Sequence, residues 1–190
     1  MRCTVVALAL STLLAGCQGG ERTVENGEPD LGAARAFDRH PLYWVGKRFE
    51  KWELERVDVT NTSFTTFSYG TCEIEDPDGS FGVEGGSCQV PLQIQIQRLC
   101  SHLGVVARAP IWRRRQVRGA PVGAVDSAPV LFTNRVQVKV YRGRGSDSGL
   151  PMRVLRALRS VNAVRPILDP GDPIPPAPLG VLEGTERCRD

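Results

Sequence analysis

The sequence lacks a hydrophobic run of transmembrane length at its N-terminus. Residues 3–14 form an apolar stretch of 12 residues with few polar interruptions, whereas a helix needs about 20 residues to cross a hydrocarbon core. We therefore expect no permanent transmembrane anchor at this end of the chain.

Metal-ligating and redox patterns are also missing. His40 and His102 are the only histidines and do not form a ligand-spaced pair, and no two cysteines have Cys-x-x-Cys spacing. Structural zinc sites and thioredoxin-like redox sites use that spacing. Asp76, Asp78 and Ser80 could offer oxygen ligands to calcium, but Asp-Pro-Asp-Gly at 76–79 is the order of a type I turn. We expect neither a metal nor a cofactor.

The first 17 residues have the layout of an export signal. Met1 and Arg2 precede the apolar stretch, which leads to Leu14-Ala15-Gly16-Cys17. Ordinary cleavage after Gly16 would put the bulky Leu14 where a small residue is required. The tetrapeptide instead resembles the lipobox of bacterial lipoproteins. This resemblance implies that residues 1–16 are removed, that Cys17 receives a diacylglyceryl group and that lipid chains anchor the mature protein.

The same resemblance implies a location at the cell membrane, on its extracytoplasmic face. In a host with two membranes the outer membrane is the alternative, because the residue after Cys17 is Gln18 and not the Asp that in some Gram-negative bacteria is associated with inner-membrane retention. Only Lys47, Lys51 and Lys139 among the 24 basic residues are lysine. In this arginine-rich composition the body is similar to lipoproteins of actinobacteria.

Beyond the signal, composition predicts a tether and one folded domain. Residues 17–39 are rich in Gly, Glu and polar residues with almost no large apolar side chains, which is typical of a flexible linker. Aromatic residues first cluster at Tyr43 and Trp44. We therefore expect a single domain over residues 40–190, whose length suits one hydrophobic core.

Four cysteines remain once Cys3 and Cys17 are assigned to the signal and the lipid. An even number in an exported protein predicts two disulfides. Three pairings are possible, but the turn-rich loop from Cys72 to Cys88 favours closing that loop, which would pair Cys100 with Cys188.

Alternating apolar residues predict an antiparallel sheet. Residues 92–97 and 135–140 alternate strictly, so each is expected to be a strand with one apolar and one wet face. Residues 54–59 and 64–69 favour a hairpin. Pro151 suits the start of a helix whose apolar residues recur up to Val161, and the proline-rich tail at 166–180 excludes further regular structure. We expect an α+β fold with this amphipathic helix packed on the sheet.

Charge is unevenly distributed along the chain. Residues 18–90 carry 14 acidic and 7 basic side chains, whereas residues 91–190 carry 7 acidic and 16 basic ones. The densest basic group comprises Arg113, Arg114, Arg115 and Arg118. It could contact anionic lipid or cell-wall polymer, or form a solvated face of the fold. An exported protein is not expected to bind nucleic acid.

Two functional classes are compatible with these residues. The first is a non-catalytic binding or envelope-structural module. The second is an envelope hydrolase that uses His102 or the carboxylates of residues 73–84 as general acid and base: Glu73, Glu75, Asp76, Asp78 and Glu84.

A further segment, residues 146–151, resembles the nucleophile region of chymotrypsin-like proteases, with His40 and Asp58 upstream in the right order. Ser146 and Leu150 stand where that family has two glycines of the oxyanion loop. We therefore interpret the segment as a turn that leads into the helix.

Overall fold

The computed structural model describes residues 29–61, 63–71, 89–101, 115–125, 127–143 and 146–189. In this part of the chain ten strands and three short helices are present. No helix in it is long and apolar enough to span a membrane.

Eight of the strands form one antiparallel sheet. Their bounds are β2 Arg48–Phe49, β3 Trp52–Asp58, β4 Thr65–Tyr69, β5 Leu92–Arg98, β6 Gln116–Val117, β7 Ala120–Val125, β8 Ala128–Phe132 and β9 Val136–Arg142. A separate two-stranded ribbon pairs β1, Tyr43–Trp44, with β10, Arg159–Ser160. The mostly antiparallel sheet that the sequence predicts is therefore confirmed.

The large sheet consists of two four-stranded meanders that meet in its middle. The spatial order is β2-β3-β4-β5-β9-β8-β7-β6, so β2 to β5 form one meander and β6 to β9 the other. The seven-residue strands β5 and β9 pair along their whole length, from Leu92 opposite Arg142 to Arg98 opposite Val136. This central pairing joins the first half of the domain to the second.

One face of the sheet supplies the main core. Successive residues of a strand point to opposite sides, and the register places Ile94 opposite both Phe67 and Val140. The predicted hairpin of β3 and β4 is present, with Val57 opposite Phe67. The buried side chains of the central strands on this face are Phe67, Tyr69, Leu92, Ile94, Ile96, Leu131, Val136, Val138 and Val140.

Helix α1, Leu31–Ala36, lies within the range that the sequence assigns to the tether. The Asp30 side chain accepts a hydrogen bond from the Ala33 N–H at 2.9 Å and caps the helix. Ala34 is fully buried in the main core. Ordered structure therefore begins before residue 40. The sequence does not indicate this, because small residues that pack through alanine give no hydrophobic pattern.

Helix α2, Leu150–Ala157, begins where Pro151 predicts and ends earlier than its apolar spacing suggests. Leu150, Val154 and Leu155 belong to the same core cluster as the sheet. Leu158 turns to an extended conformation, and Arg159–Ser160 then pairs with β1. The backbone N–H and C=O groups of Arg159–Ser160 therefore bond to β1. In a longer helix they would have bonded within the helix.

The proline-rich segment follows the turns at one end of the sheet. The Ile174 N–H donates to the Arg118 carbonyl at 2.7 Å, and the Asn134 N–H donates to the Pro175 carbonyl at 2.9 Å. Thr133 and Pro176 form an isolated antiparallel bridge. Helix α3, Leu179–Glu183, follows and ends at Gly184, whose φ of 72° is left-handed.

Candidate functional site

The second face of the sheet carries a group of polar side chains, which we call the glutamine face. Residues directly opposite one another in a sheet share a face. Across β4, β5 and β9, one row consists of Thr66, Gln95 and Lys139, and a second consists of Ser68, Gln93 and Tyr141. The members of the glutamine face are Thr66, Ser68, Gln93, Gln95, Gln97, Gln137, Lys139 and Tyr141.

This face is less exposed than the sequence predicts. The expected alternation is present, but Gln137 is only 1% exposed and Lys139 only 9% exposed. The side chains of Gln93, Gln95 and Gln97 are half-buried. The expectation of a fully wet face is therefore wrong at its centre.

Hydrogen bonds explain how Gln137 is buried. Its Nε2 donates to the Leu99 carbonyl at 2.6 Å and to the Ser101 carbonyl at 2.7 Å. Its Oε1 accepts from Gln97 Nε2 at 3.2 Å. Buried polar groups are stable when they are paired in this way, and the bonds hold the chain after β5 against this side of the sheet.

The other groups of the glutamine face are amides, hydroxyls and one lysine. Lys139 Nζ lies 4.8 Å from the centre of the Tyr141 ring, within the range of a cation–π interaction. Amides and hydroxyls can donate and accept hydrogen bonds, which is how such groups recognise polar ligands. The signal that could have identified this site is the recurrence of glutamine at alternate positions of neighbouring strands.

Arg118, which the sequence assigns to a possible anionic contact, is held against its own chain. It lies in the turn between β6 and β7 with a left-handed φ of 53°. Its guanidinium donates to the carbonyls of Leu158, Asp169 and Asp172, each at 2.5 Å. A longer bond of 3.4 Å reaches the carbonyl of Arg156. Desolvation by this burial lowers the pKa of Arg118 from its ordinary value.

The rest of the predicted basic patch is only partly placed. Arg115 precedes β6 and is exposed. Arg113 and Arg114 lie outside the described residues. The binding of an anionic surface by this patch stays a prediction.

Cys100 and Cys188 form a disulfide, as the sequence predicts. Their Cα atoms are 5.5 Å apart and the bond closes a separation of 88 residues. Cys100 follows β5, and Cys188 lies two residues before the end of the chain. Cys72 and Cys88 lie outside the described residues, so their pairing stays a prediction.

The protease-like segment forms a turn before helix α2. Asp147 Oδ1 accepts from the Gly149 N–H at 2.9 Å, and Asp147 Oδ2 forms an ion pair with Arg153 at 2.5 Å. These bonds hold the pKa of Asp147 below its ordinary range. Asp58 accepts two hydrogen bonds from Thr60, which lower its pKa in the same direction. Both carboxylates therefore have local structural partners.

The other predicted site residues lie outside the described part of the chain: Cys17, Glu73, Glu75, Asp76, Asp78, Glu84 and His102. Among the residues that are described, no group of three His, Cys, Asp or Glu side chains could hold a metal ion. No protein-family model, no curated protein and no solved structure matches this chain.

Proposed function

We propose that the protein is an extracytoplasmic lipoprotein, held at the cell membrane by lipid on Cys17. The observation that supports this most strongly is the Cys100–Cys188 disulfide. Structural disulfides persist in oxidising compartments outside the cytoplasm and are rare within it. The disulfide therefore agrees with the export that the lipobox predicts.

We propose further that the folded body is a non-catalytic binding or envelope-structural module. The glutamine face supports this proposal because its amides and hydroxyls can recognise polar groups by hydrogen bonding. The hydrolase alternative depends on His102 and on the carboxylates of residues 73–84. None of these residues is described, so no observation favours that alternative.

The proposal includes the C-terminal part of the chain as an integral part of the module. In it, the amphipathic helix packs on the sheet and the proline-rich segment at 166–180 returns along the body to Cys188. The buried side chains of Val154, Leu155 and Ile174 support this arrangement. An anionic lipid or cell-wall polymer is the proposed partner for the exposed Arg115 and its neighbours.

The N-terminal peptide of the mature protein tests the anchoring proposal. Mass spectrometry of protein purified from its native host should find residues 1–16 absent and a diacylglyceryl thioether on Cys17. An unmodified Cys17, or a retained signal segment, would overturn the proposal. Replacing Cys3 by Ala serves as the control, because that residue is removed with the signal and its loss should leave the lipid unchanged.

A further inference from the structure

Arginines from distant parts of the chain lie together at one end of the sheet. Arg118 lies in the β6–β7 turn, Arg135 in the β8–β9 turn and Arg156 in the last turn of α2. Arg165 precedes the proline-rich segment, and Arg115 precedes β6. We call these five residues the arginine surface. All of them are exposed except the half-buried Arg118.

Hydrogen bonds to backbone carbonyls bring these arginines together in two pairs. Arg118 Nη1 donates to the Arg156 carbonyl at 3.4 Å, and Arg135 Nη1 donates to the Arg165 carbonyl at 3.4 Å. The buried Tyr43 connects the two pairs. Burial raises the pKa of its hydroxyl, and the positive charges of Arg135 and Arg118 partly oppose that rise. Both guanidinium groups therefore lie near the same hydroxyl.

The arginine surface keeps an excess of positive charge over its described neighbours. Arg118 bonds to the carbonyls of Asp169 and Asp172, which brings two acidic residues beside it. Five arginines and two aspartates leave three positive charges in excess. Residues 38–39 and 183–189, at the same end of the fold, contain as many basic as acidic side chains. An excess of this sign attracts anionic surfaces.

The point where the N-terminal part of the chain enters the fold adjoins the arginine surface. Asn162 Nδ2 donates to the carbonyls of Phe37 and His40 at 2.8 and 2.9 Å. Its Oδ1 accepts from the Leu42 N–H at 2.9 Å. Since Asn162 precedes Arg165 by only three residues, the chain that follows α1 is held next to the segment that carries Arg165.

The length of chain before this entry limits how far the domain can stand from a lipid on Cys17. Pro29, where the description of the fold begins, is 12 residues after Cys17. A fully extended chain of that length spans at most about 43 Å. The anchor would therefore keep the end of the domain that carries the arginine surface close to the lipid headgroups.

We propose that the arginine surface docks the domain on an anionic lipid bilayer. The planar guanidinium groups of Arg135, Arg156 and Arg165 suit headgroup phosphates, which they can bind through paired hydrogen bonds. The sequence does not group these three residues, because they are brought together only by the fold. A bilayer is favoured over a cell-wall polymer because the anchor brings this end of the domain to the headgroups. This orientation rests on the lipid proposed for Cys17, whereas the affinity for anionic lipid is a property of the folded body.

Sedimentation with vesicles tests the docking surface without the anchor. The chain from residue 17 onward, carrying Cys17→Ser so that it cannot be lipidated, is mixed with phosphatidylcholine vesicles that contain about 30% phosphatidylglycerol. We expect binding in about 0.1 M NaCl and release in about 0.5 M NaCl, because salt screens the attraction. Vesicles of phosphatidylcholine alone should not bind the protein. Failure to bind the anionic vesicles, or equal binding to both kinds, would overturn the proposal.

Two variants of equal charge locate the contact. Arg135→Gln/Arg165→Gln should lower the affinity for the anionic vesicles by at least about tenfold. Lys47→Gln/Lys51→Gln removes the same charge from exposed residues at β2 and its turn, and should lower the affinity by less than about threefold. Equal losses in the two variants would show a response to net charge alone and contradict a defined docking surface.

Arginine labelling of the Cys17→Ser protein keeps the test decisive if a variant does not fold. Phenylglyoxal modifies exposed guanidinium groups, and mass spectrometry measures the extent of modification at each arginine. Anionic vesicles should protect Arg135 and Arg165 and leave the exposed Arg48 and Arg56 unchanged. Protection of both pairs, or of neither, would contradict the proposal.

The same labelling distinguishes the bilayer from a cell-wall polymer. If soluble poly(glycerol phosphate) protects Arg135 and Arg165 and vesicles of equal phosphate concentration do not, the partner is a polymer and the proposal is wrong. Because the protein in these measurements carries no lipid, a negative result refutes the docking surface alone and not the anchor at Cys17.

Discussion

At the scale of single residues, two buried tyrosine hydroxyls hold nearby segments of the chain against the core. Tyr69 on β4 is fully buried; its hydroxyl donates to the Gly46 carbonyl at 3.1 Å and accepts from the Val45 N–H at 3.3 Å. Tyr43 is equally buried, and its hydroxyl donates to the Pro166 carbonyl at 3.4 Å. Both rings thus fill the core while their polar ends hold loops in place.

Replacing Tyr69 by Phe should lower the free energy of unfolding by about 2 kcal/mol, because the buried Val45 N–H loses its acceptor. The ring remains, so no cavity is created. Urea denaturation at neutral pH measures the change. Tyr141→Phe, on the half-buried glutamine face, is the matched control and should change stability by less than about 0.5 kcal/mol. Equal effects in both variants would contradict this role of Tyr69.

Stability should also fall in alkaline solution. Desolvation by burial raises the pKa of both Tyr43 and Tyr69 above the ordinary value of 10.0. The unfolded chain therefore loses these protons at a lower pH than the folded protein, so stability is retained below about pH 10 and declines as the pH rises further. Denaturation at pH 8 and pH 11 measures the decline, which should be smaller in Tyr69→Phe. If stability fell as much between pH 8 and pH 11 in Tyr69→Phe as in the wild type, the decline could not be attributed to Tyr69.

At the scale of elements, the local sequence pattern predicts those strands that have one apolar and one polar face. It does not predict short strands that form only through pairing with a distant part of the chain. The strands β5 and β9 are predictable because apolar residues alternate with polar ones in both. In β5 these apolar residues are Leu92, Ile94 and Ile96, and in β9 they are valines. The two-residue strands β1 and β10 are not predictable, since Tyr43–Trp44 and Arg159–Ser160 carry no periodicity and form only by pairing with each other. Helix α2 ends at Ala157 for the same reason.

The candidate site was less predictable than the fold. The alternation in β5 predicts that its glutamines share one face, but the burial of Gln137 depends on carbonyls at Leu99 and Ser101 that a sequence pattern does not reveal. The sequence places Arg118 in a basic patch because it follows three other arginines. Its bonds to four carbonyls depend on residues 38 to 54 positions away.

Arg118 should stabilise the junction between three elements: the β6–β7 turn, the end of α2 and the turn at residues 169–172. Truncating it to Ala removes donors from several carbonyls, and we expect a loss of about 2 kcal/mol in the free energy of unfolding. Arg118→Lys should recover only part of this, because an ammonium group cannot reproduce the planar set of donors. Chemical denaturation measures both variants.

The exposed Arg115 provides the comparison for Arg118. Arg115→Ala should change stability by less than about 0.5 kcal/mol. If Arg118→Ala were equally neutral, the hydrogen bonds to Leu158, Asp169 and Asp172 would contribute nothing measurable, and the junction would be held by other contacts.

At the scale of the whole molecule, two contacts outside the large sheet fix segments that are far apart in the sequence to the folded body. Helix α1 buries Ala34 in the main core, and the disulfide joins Cys188 to Cys100 in the turn that follows β5. Covalent closure of a separation of 88 residues restricts the unfolded chain, which by the loop-entropy model stabilises the fold by about 4.5 kcal/mol.

Peptide mapping without reduction checks the disulfides of the protein. We expect a linked peptide pair containing Cys100 and Cys188, and a second containing Cys72 and Cys88. Free thiols at Cys72 and Cys88 would contradict the predicted second bridge. A parallel sample that is reduced and differentially alkylated before mapping is the control for rearrangement of disulfides during digestion.

The most direct test of the account is the location of the protein when Cys17 is replaced. Membrane and soluble fractions of the native host are compared for the wild type, Cys17→Ala and the control Cys3→Ala. We predict that the wild type and Cys3→Ala stay with the membrane after a high-salt wash, whereas Cys17→Ala does not. Retention of Cys17→Ala in the washed membrane at the wild-type level would contradict lipid anchoring at Cys17.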